Sequence, residues 1–102
     1  MKVIKCIADK IEDELQDAEA YVKLAQKWKT DEPETAELMY DLSMEELGHM
    51  ERLHGEVVRL IEQYRAENGE PPEGMMMLYD YLHKKNIEKA TQIRVMQGMY
   101  KA

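Results

Sequence analysis

The sequence has almost no means of crosslinking itself or of binding a metal through sulfur. Among its 102 residues there is one cysteine, Cys6. A single cysteine excludes an internal disulfide and a zinc site built from several cysteines. It also suits a reducing compartment, so we expect a cytoplasmic protein.

Positive charge and long apolar runs are scarce as well. Lysine and arginine total 14 against 21 aspartates and glutamates, which gives a net charge of -7. This charge repels a phosphate backbone and argues against nucleic-acid binding. No stretch reaches the roughly 18 apolar residues of a transmembrane helix, and Asp9 and Lys10 come too early for a signal peptide. We expect neither nucleic acid nor membrane as a partner.

The first 68 residues contain few helix-breaking residues: their glycines are Gly48 and Gly55, and their one proline is Pro33. This scarcity predicts two long helices, one over about 2–29 and one over about 32–67. Such lengths far exceed the globular average of about 11–12 residues and favour a helical bundle.

Turn and capping residues set the ends of the second predicted helix. Asp31 with Glu34 three residues later matches a capping box, in which Asp31 caps the helix, and Pro33 is tolerated in a first turn. At the other end, Gly69 predicts a left-handed cap, and the prolines that follow prevent the helix from resuming. The hairpin is therefore expected to occupy residues 1–69.

Residues 70–102 form a different kind of segment, which is rich in methionine. Five of the nine methionines of the chain lie here, and methionine suits adaptable interfaces. We predict one or two shorter helices that pack on the bundle or on a neighbouring subunit. Residues 75–100 are a candidate surface for a protein partner.

Apolar residues recur at helical spacing along both long helices and predict one buried row on each. In both rows the apolar pattern is interrupted at a single level, by carboxylates and an imidazole. The first row is Ile4, Ile7, Ile11, Glu14, Ala18, Tyr21, Ala25 and Trp28, and the second is Met39, Leu42, Glu46, His49, Leu53, Val57, Leu60 and Tyr64.

The two interruptions lie at similar heights in an antiparallel hairpin. At 1.5 Å per residue, Glu14 lies about 24 Å from the predicted turn and Glu46 about 20 Å from it, with His49 closing the gap. An ionised carboxylate in an apolar interior is costly unless it is paired or bound to a cation. Because neither row contains a lysine or arginine, the three residues predict a metal site for iron, with manganese or zinc as alternatives.

One chain supplies only two carboxylates and one histidine to this site. A symmetric dimer of hairpins would make a four-helix bundle with four glutamates and two histidines, the ligand set of di-iron and di-manganese carboxylate bundles. The alternative is a polar layer without metal that fixes the register of the dimer. A second Glu-x-x-His, Glu51 to His54, lies about 140° further around the helix, and we expect it to face solvent.

Two stretches of the sequence are similar to a known family. Residues 14–25 resemble the first metal-binding helix of rubrerythrins, and residues 44–49, Met-Glu-Glu-Leu-Gly-His, resemble their Glu-x-x-His helix. The overall plan resembles the encapsulated-ferritin branch of the ferritin-like superfamily, in which a two-helix chain dimerises to complete the site. The similarity covers roughly residues 4–66.

The resemblance implies an all-α fold, in which a long antiparallel hairpin dimerises into a ferritin-like four-helix bundle with a C-terminal helical segment. It implies that Glu14 and His49 are terminal ligands and that Glu46 bridges two irons per dimer. The expected activity is that of a di-iron oxidoreductase, a ferroxidase or a peroxide or dioxygen reductase, with these three residues as the catalytic set. A protein compartment is then a possible location. The alternative is a non-catalytic ferritin-like interaction module with a polar or metal-bound dimer core.

Overall fold

The structure, a computed structural model, describes residues 2–102, and within that range it consists of helices without any strand. The two long helices predicted from the sequence are confirmed, with ends that differ from prediction by at most one residue. The C-terminal segment, for which the sequence predicts one or two shorter helices, is a single helix of 29 residues. The helices are α1 (Lys2–Trp28), α2 (Pro33–Asn68) and α3 (Glu73–Lys101).

The three helices lie side by side along one axis. Residues 29–32 join α1 to α2, and a connection this short makes neighbouring helices antiparallel. α3 returns along the hairpin, since Lys89 pairs with Glu19 and Gln97 bonds to Ser43. The described chain measures 56 × 18 × 17 Å. None of these three helices combines the length and the apolarity needed to cross a lipid bilayer.

The buried core lies where α3 packs against the α1–α2 hairpin. Ile93 is fully buried and Ala90 is almost so, and both belong to a cluster with contributions from all three helices. A smaller cluster lies near the α1–α2 turn. The buried residues of the main cluster are Ile11, Leu15, Ala18, Val22, Leu47, Met50, Val57, Ile61, Ala90 and Ile93.

The observed core agrees with the predicted rows only in part. In α1, Leu15 and Val22 are buried, whereas Glu14 and Tyr21 of the predicted row are half-buried. In α2, only Val57 of the predicted row is buried. The reason is α3: it packs on one side of the hairpin, so burial shifts toward that side. The members of the predicted rows that remain buried are Ile11, Ala18, Ala25 and Val57.

A buried hydrogen-bonded chain ties α3 to both hairpin helices. The Ser43 hydroxyl donates to the Ala18 carbonyl at 2.6 Å and accepts from the Gln97 amide at 2.9 Å. Ser43 is fully buried and Gln97 nearly so. A buried polar group without a partner costs about 1–3 kcal/mol, so this chain fixes the position of α3 on the hairpin.

The start of α2 differs from the predicted capping box. The N-cap residue is Glu32 rather than Asp31, and no side chain caps the helix by a hydrogen bond. Pro33 explains the difference, because the residue before a proline is held out of the helical region. Glu32 accordingly has φ -138° and ψ 74°, while its carbonyl accepts the first helical bond, from Ala36.

The end of α2 requires glycine. Gly69 has φ 80° and ψ -164°, so its positive φ is as predicted, although its ψ lies outside the left-handed helical region. This combination of angles is essentially restricted to glycine. The Gly69 amide donates to the Arg65 carbonyl at 3.0 Å and closes the last turn before the chain reverses into α3.

We predict that Gly69→Ala lowers the free energy of unfolding by about 1–3 kcal/mol, because alanine is strained at this φ and ψ. Gly55→Ala is the matched control, since an added Cβ meets nothing within 4 Å at either position. In the helical interior at Gly55, alanine should stabilise by about 0.5–1 kcal/mol. Urea denaturation measures the change in the free energy of unfolding for each variant. Changes of the same sign would contradict the conformation assigned to Gly69.

We also predict that Ser43→Ala destabilises the protein by about 1–3 kcal/mol, because it leaves the Gln97 amide buried without its acceptor. Thr91→Ala removes a hydroxyl whose only bond is local and exposed, and it should change stability by less than about 0.5 kcal/mol. Equal effects of the two substitutions in denaturant titrations would show that the buried chain does not hold α3.

Candidate metal centre

Three potential metal ligands converge on one side of the α1–α2 hairpin. Nδ1 of His49 lies 3.5 Å from Oε2 of Glu14 and 3.9 Å from Oε1 of Glu46. One ligand atom of each residue lies within 4.8 Å of the other two. The structure thus brings together all three residues that the sequence singles out.

Helix geometry explains the convergence. Glu46 and His49 are three residues apart in α2, a spacing that places both side chains on one face of a helix. Glu14 faces them from α1, because the antiparallel hairpin sets residues at equal distances from the turn beside one another. The site therefore follows from the three-residue spacing of Glu46 and His49 in α2 and from the position of the turn between α1 and α2.

The two carboxylates are mostly withdrawn from solvent while the imidazole is not. The side chains of Glu14 and Glu46 are 16% and 18% exposed, against 54% for His49. Oε2 of Glu14 is buried and has no hydrogen-bond partner among residues 2–102. His49 does not satisfy it, since 3.5 Å exceeds the 2.7–3.2 Å of an ordinary N–H···O bond. A polar atom in this state is unfavourable without a further partner.

No lysine or arginine within residues 2–102 forms an ion pair with Glu14 or Glu46. Lys10 and Arg52 line the same groove, but both are exposed. Within residues 2–102, the basic side chain closest to the two carboxylates is therefore the imidazole of His49. Two carboxylates and an imidazole are ligands that suit divalent first-row metals. A metal ion here would supply the partner that Oε2 of Glu14 lacks among residues 2–102.

The second Glu-x-x-His faces solvent only in part. Glu51 is exposed as predicted and pairs with Arg94 at 2.5 Å. His54 is half-buried against α3, and its ring stacks on that of His83 with 4.4 Å between the centroids. Burial, together with the neighbouring His83, lowers the pKa of His54 below its ordinary value. The prediction is wrong for His54 because α3 covers it.

The His54–His83 contact is the feature that the sequence pattern does not reveal directly. His54 lies 15 residues before the start of the α2–α3 loop, residues 69–72, and His83 lies 11 residues after its end, so their heights differ by about one helical turn. Counting residues from the loop brings the two near each other only once α3 is known to be one antiparallel helix.

Comparison with protein-family models, with curated proteins and with solved structures found no match for this chain. The resemblance to rubrerythrins and encapsulated ferritins therefore stays a prediction from the sequence.

We predict that Glu14→Gln raises the free energy of unfolding of the metal-free protein by about 1 kcal/mol, because an amide is cheaper than an unpartnered carboxylate at a buried position. Glu12→Gln is the control, since it removes the same charge from an exposed position of α1 and should change stability by less than about 0.5 kcal/mol. Measurement is by urea denaturation with a chelator present. If both variants gained the same stability, the cause would be the lower overall negative charge and not the buried position of Glu14.

Proposed function

We propose that this protein is a ferritin-like di-iron carboxylate protein that oxidises Fe(II), with a site completed by dimerisation. The single observation that carries the proposal is the convergence of Glu14, Glu46 and His49, where no lysine or arginine of residues 2–102 pairs with either carboxylate. Each of the three would be a ligand. By the resemblance to rubrerythrins, Glu46 would lie between the two irons, with Glu14 and His49 as terminal ligands.

Charge balance supports two ions in a dimer. Two copies of the site contain four carboxylates, and two divalent cations neutralise them. When bound, a pair of Fe(II) ions would supply two electrons, enough to reduce one dioxygen to hydrogen peroxide or one peroxide to water. The glutamates neutralise the metal charge and can change between chelating and bridging positions, and the net charge of -7 favours the approach of cations.

The outer face of the hairpin, opposite α3, supports dimerisation. We define this face by Tyr21, Leu24, Leu42 and Leu53, of which Leu53 lines the same groove as Glu14 and His49. Leu24 is 38% exposed, and the other three are only half-buried. A second hairpin packed here would cover these apolar side chains and restrict solvent access to His49. It would also add the ligands that one copy lacks.

A non-catalytic interaction module is the second candidate. The observation that favours it is the exposed apolar surface of α3, where Met77 and Met99 are each 65% exposed and Tyr81 is 59% exposed. Methionine-rich surfaces adapt to partners. In this alternative, residues 75–100 bind a protein partner and the Glu–His site, with or without an ion, sets the dimer interface without turnover.

We predict that the purified protein is a dimer that binds two Fe(II) ions under anaerobic conditions, and that Glu46→Ala abolishes this stoichiometric binding because it removes the proposed bridging carboxylate. Glu45→Ala is the matched control, a neighbouring exposed glutamate whose loss should leave both sites filled. Iron titration and the mass in solution give the stoichiometry. Admission of air should then produce a ferric absorbance band in the wild type and in Glu45→Ala.

Each outcome of this experiment has a distinct meaning. Two irons still bound by the Glu46→Ala dimer would show that the ligand assignment is wrong. A monomer at all concentrations would overturn the dimeric site. Bound iron with no ferric absorbance would favour the interaction module over the oxidase.

A further inference from the structure

Three aromatic rings form a cluster between α2 and α3. The imidazoles of His54 and His83 stack with 4.4 Å between centroids and 11° between planes. Tyr79, one turn earlier in α3, stacks with His83 at 5.7 Å. Its hydroxyl lies 3.5 Å from Nε2 of His54. None of these residues belongs to the candidate metal centre.

α3 is attached to the hairpin unevenly. Its C-terminal part, residues 89–101, makes ion pairs and hydrogen bonds with both hairpin helices. Its N-terminal half, residues 73–88, makes one side-chain polar contact with the hairpin in the described chain, the long one between Tyr79 and His54. The contacts of the C-terminal part are Lys89–Glu19, Arg94–Glu51, Gln97–Ser43, Tyr100–Glu37, Lys101–Glu37, Gln26–Met96 and Lys29–Tyr100.

The N-terminal half of α3 is also loosely packed. A cleft of about 290 Å³ lies beside it near Met50 and Val57, and another of about 300 Å³ lies on its α1 side near Ile4. Only Met76 and Tyr79 of this half pack against the main core. Regions with few buried contacts open at a lower free energy than the rest of a fold. The stacked histidines are therefore a large share of what holds this half in place.

Two carboxylates lie near the histidine pair, Asp80 one turn before His83 and Glu51 one turn before His54, but neither forms an ion pair with these histidines in the described chain. Burial and His83 lower the pKa of His54, and burial with nearby Asp80 raises the pKa of Tyr79. Glu51 of α2 lines the same cleft but is engaged by Arg94 of α3, and α1 contributes only apolar residues there. The charged residues lining the second cleft are Lys5, Asp9, Glu12 and Lys85.

We propose that His54 and His83 form a pH-sensitive latch on the N-terminal half of α3. With both imidazoles neutral, the stack holds residues 73–88 on the hairpin. Once both are protonated, like charges at stacking distance repel each other, and this half separates while residues 89–101 stay docked. The apolar lining of the first cleft, Ile11, Met50 and Val57, is then uncovered.

The direction of the pH effect follows from the closed geometry. The pKa of His54 is lowered in the closed state, so the open state binds the proton more tightly. Falling pH therefore favours opening once it passes below about 6.5, the ordinary pKa of an exposed histidine. Raising the pH restores the stack. The latch involves no proposed iron ligand and stands or falls independently of the proposed oxidase activity.

Hydrogen–deuterium exchange of the full chain tests the latch, in the presence of a chelator and between about pH 7.5 and about pH 5. After correction for intrinsic exchange, the amides of residues 73–88 should exchange faster at the lower pH, by up to about tenfold per pH unit for each proton taken up. Residues 89–101 are the internal reference and should hardly change. An equal response of the two halves would overturn the proposal.

The double variant His54→Phe with His83→Phe is the matched control, because it keeps two stacked rings and removes both protonation sites. Exchange of residues 73–88 in this variant should be independent of pH over the same range. A wild-type response in the variant would overturn the latch. NMR titration of the imidazole protons in the wild type is a second measurement that needs no variant. Opening that does not coincide with the titration of His54 and His83 would equally refute the proposal.

Discussion

The properties of this hairpin depend on two glutamates and a histidine that converge between α1 and α2. No lysine or arginine of residues 2–102 pairs with either carboxylate. A fold of this size tolerates little unpartnered buried charge, because the net stability of a domain is only about 5–15 kcal/mol. Glu14 and Glu46 interrupt the apolar row of each helix, and Oε2 of Glu14 has no hydrogen-bond partner among residues 2–102. A divalent cation, the occupant that we propose, would balance such a group with the fewest additional groups.

The hairpin has two sides, and the structure assigns a different task to each. One side packs α3 through the Ser43–Gln97 chain and the main apolar cluster. The other side holds the Glu–His site among half-buried apolar residues. This division leaves the face with the Glu–His site free for the second copy that we propose. It also separates the candidate metal centre from the histidine stack, so that the proposed iron binding and the proposed movement of α3 need not interfere.

Much of the local structure could be predicted from residues alone. The scarcity of glycine and proline specified two long helices, Pro33 and Gly69 marked the ends of α2, and the Glu46–His49 spacing placed both side chains on one face. The convergence with Glu14 could be predicted as well, because a tight turn between two helices makes height along the hairpin a matter of counting residues. These features depend on backbone geometry that acts over a few residues.

The sequence by itself therefore determined α1, α2, the turn between them and the level at which the acidic residues meet. Only the tertiary structure decided which row of each helix is most buried. The 3.6-residue periodicity shows which side of a helix is apolar, but it does not show the direction from which a third helix packs on that side. The placement of His54 against His83 was decided in the same way. A residue on the edge of an apolar sector is exposed or buried according to its neighbour, and that neighbour is set by long-range packing.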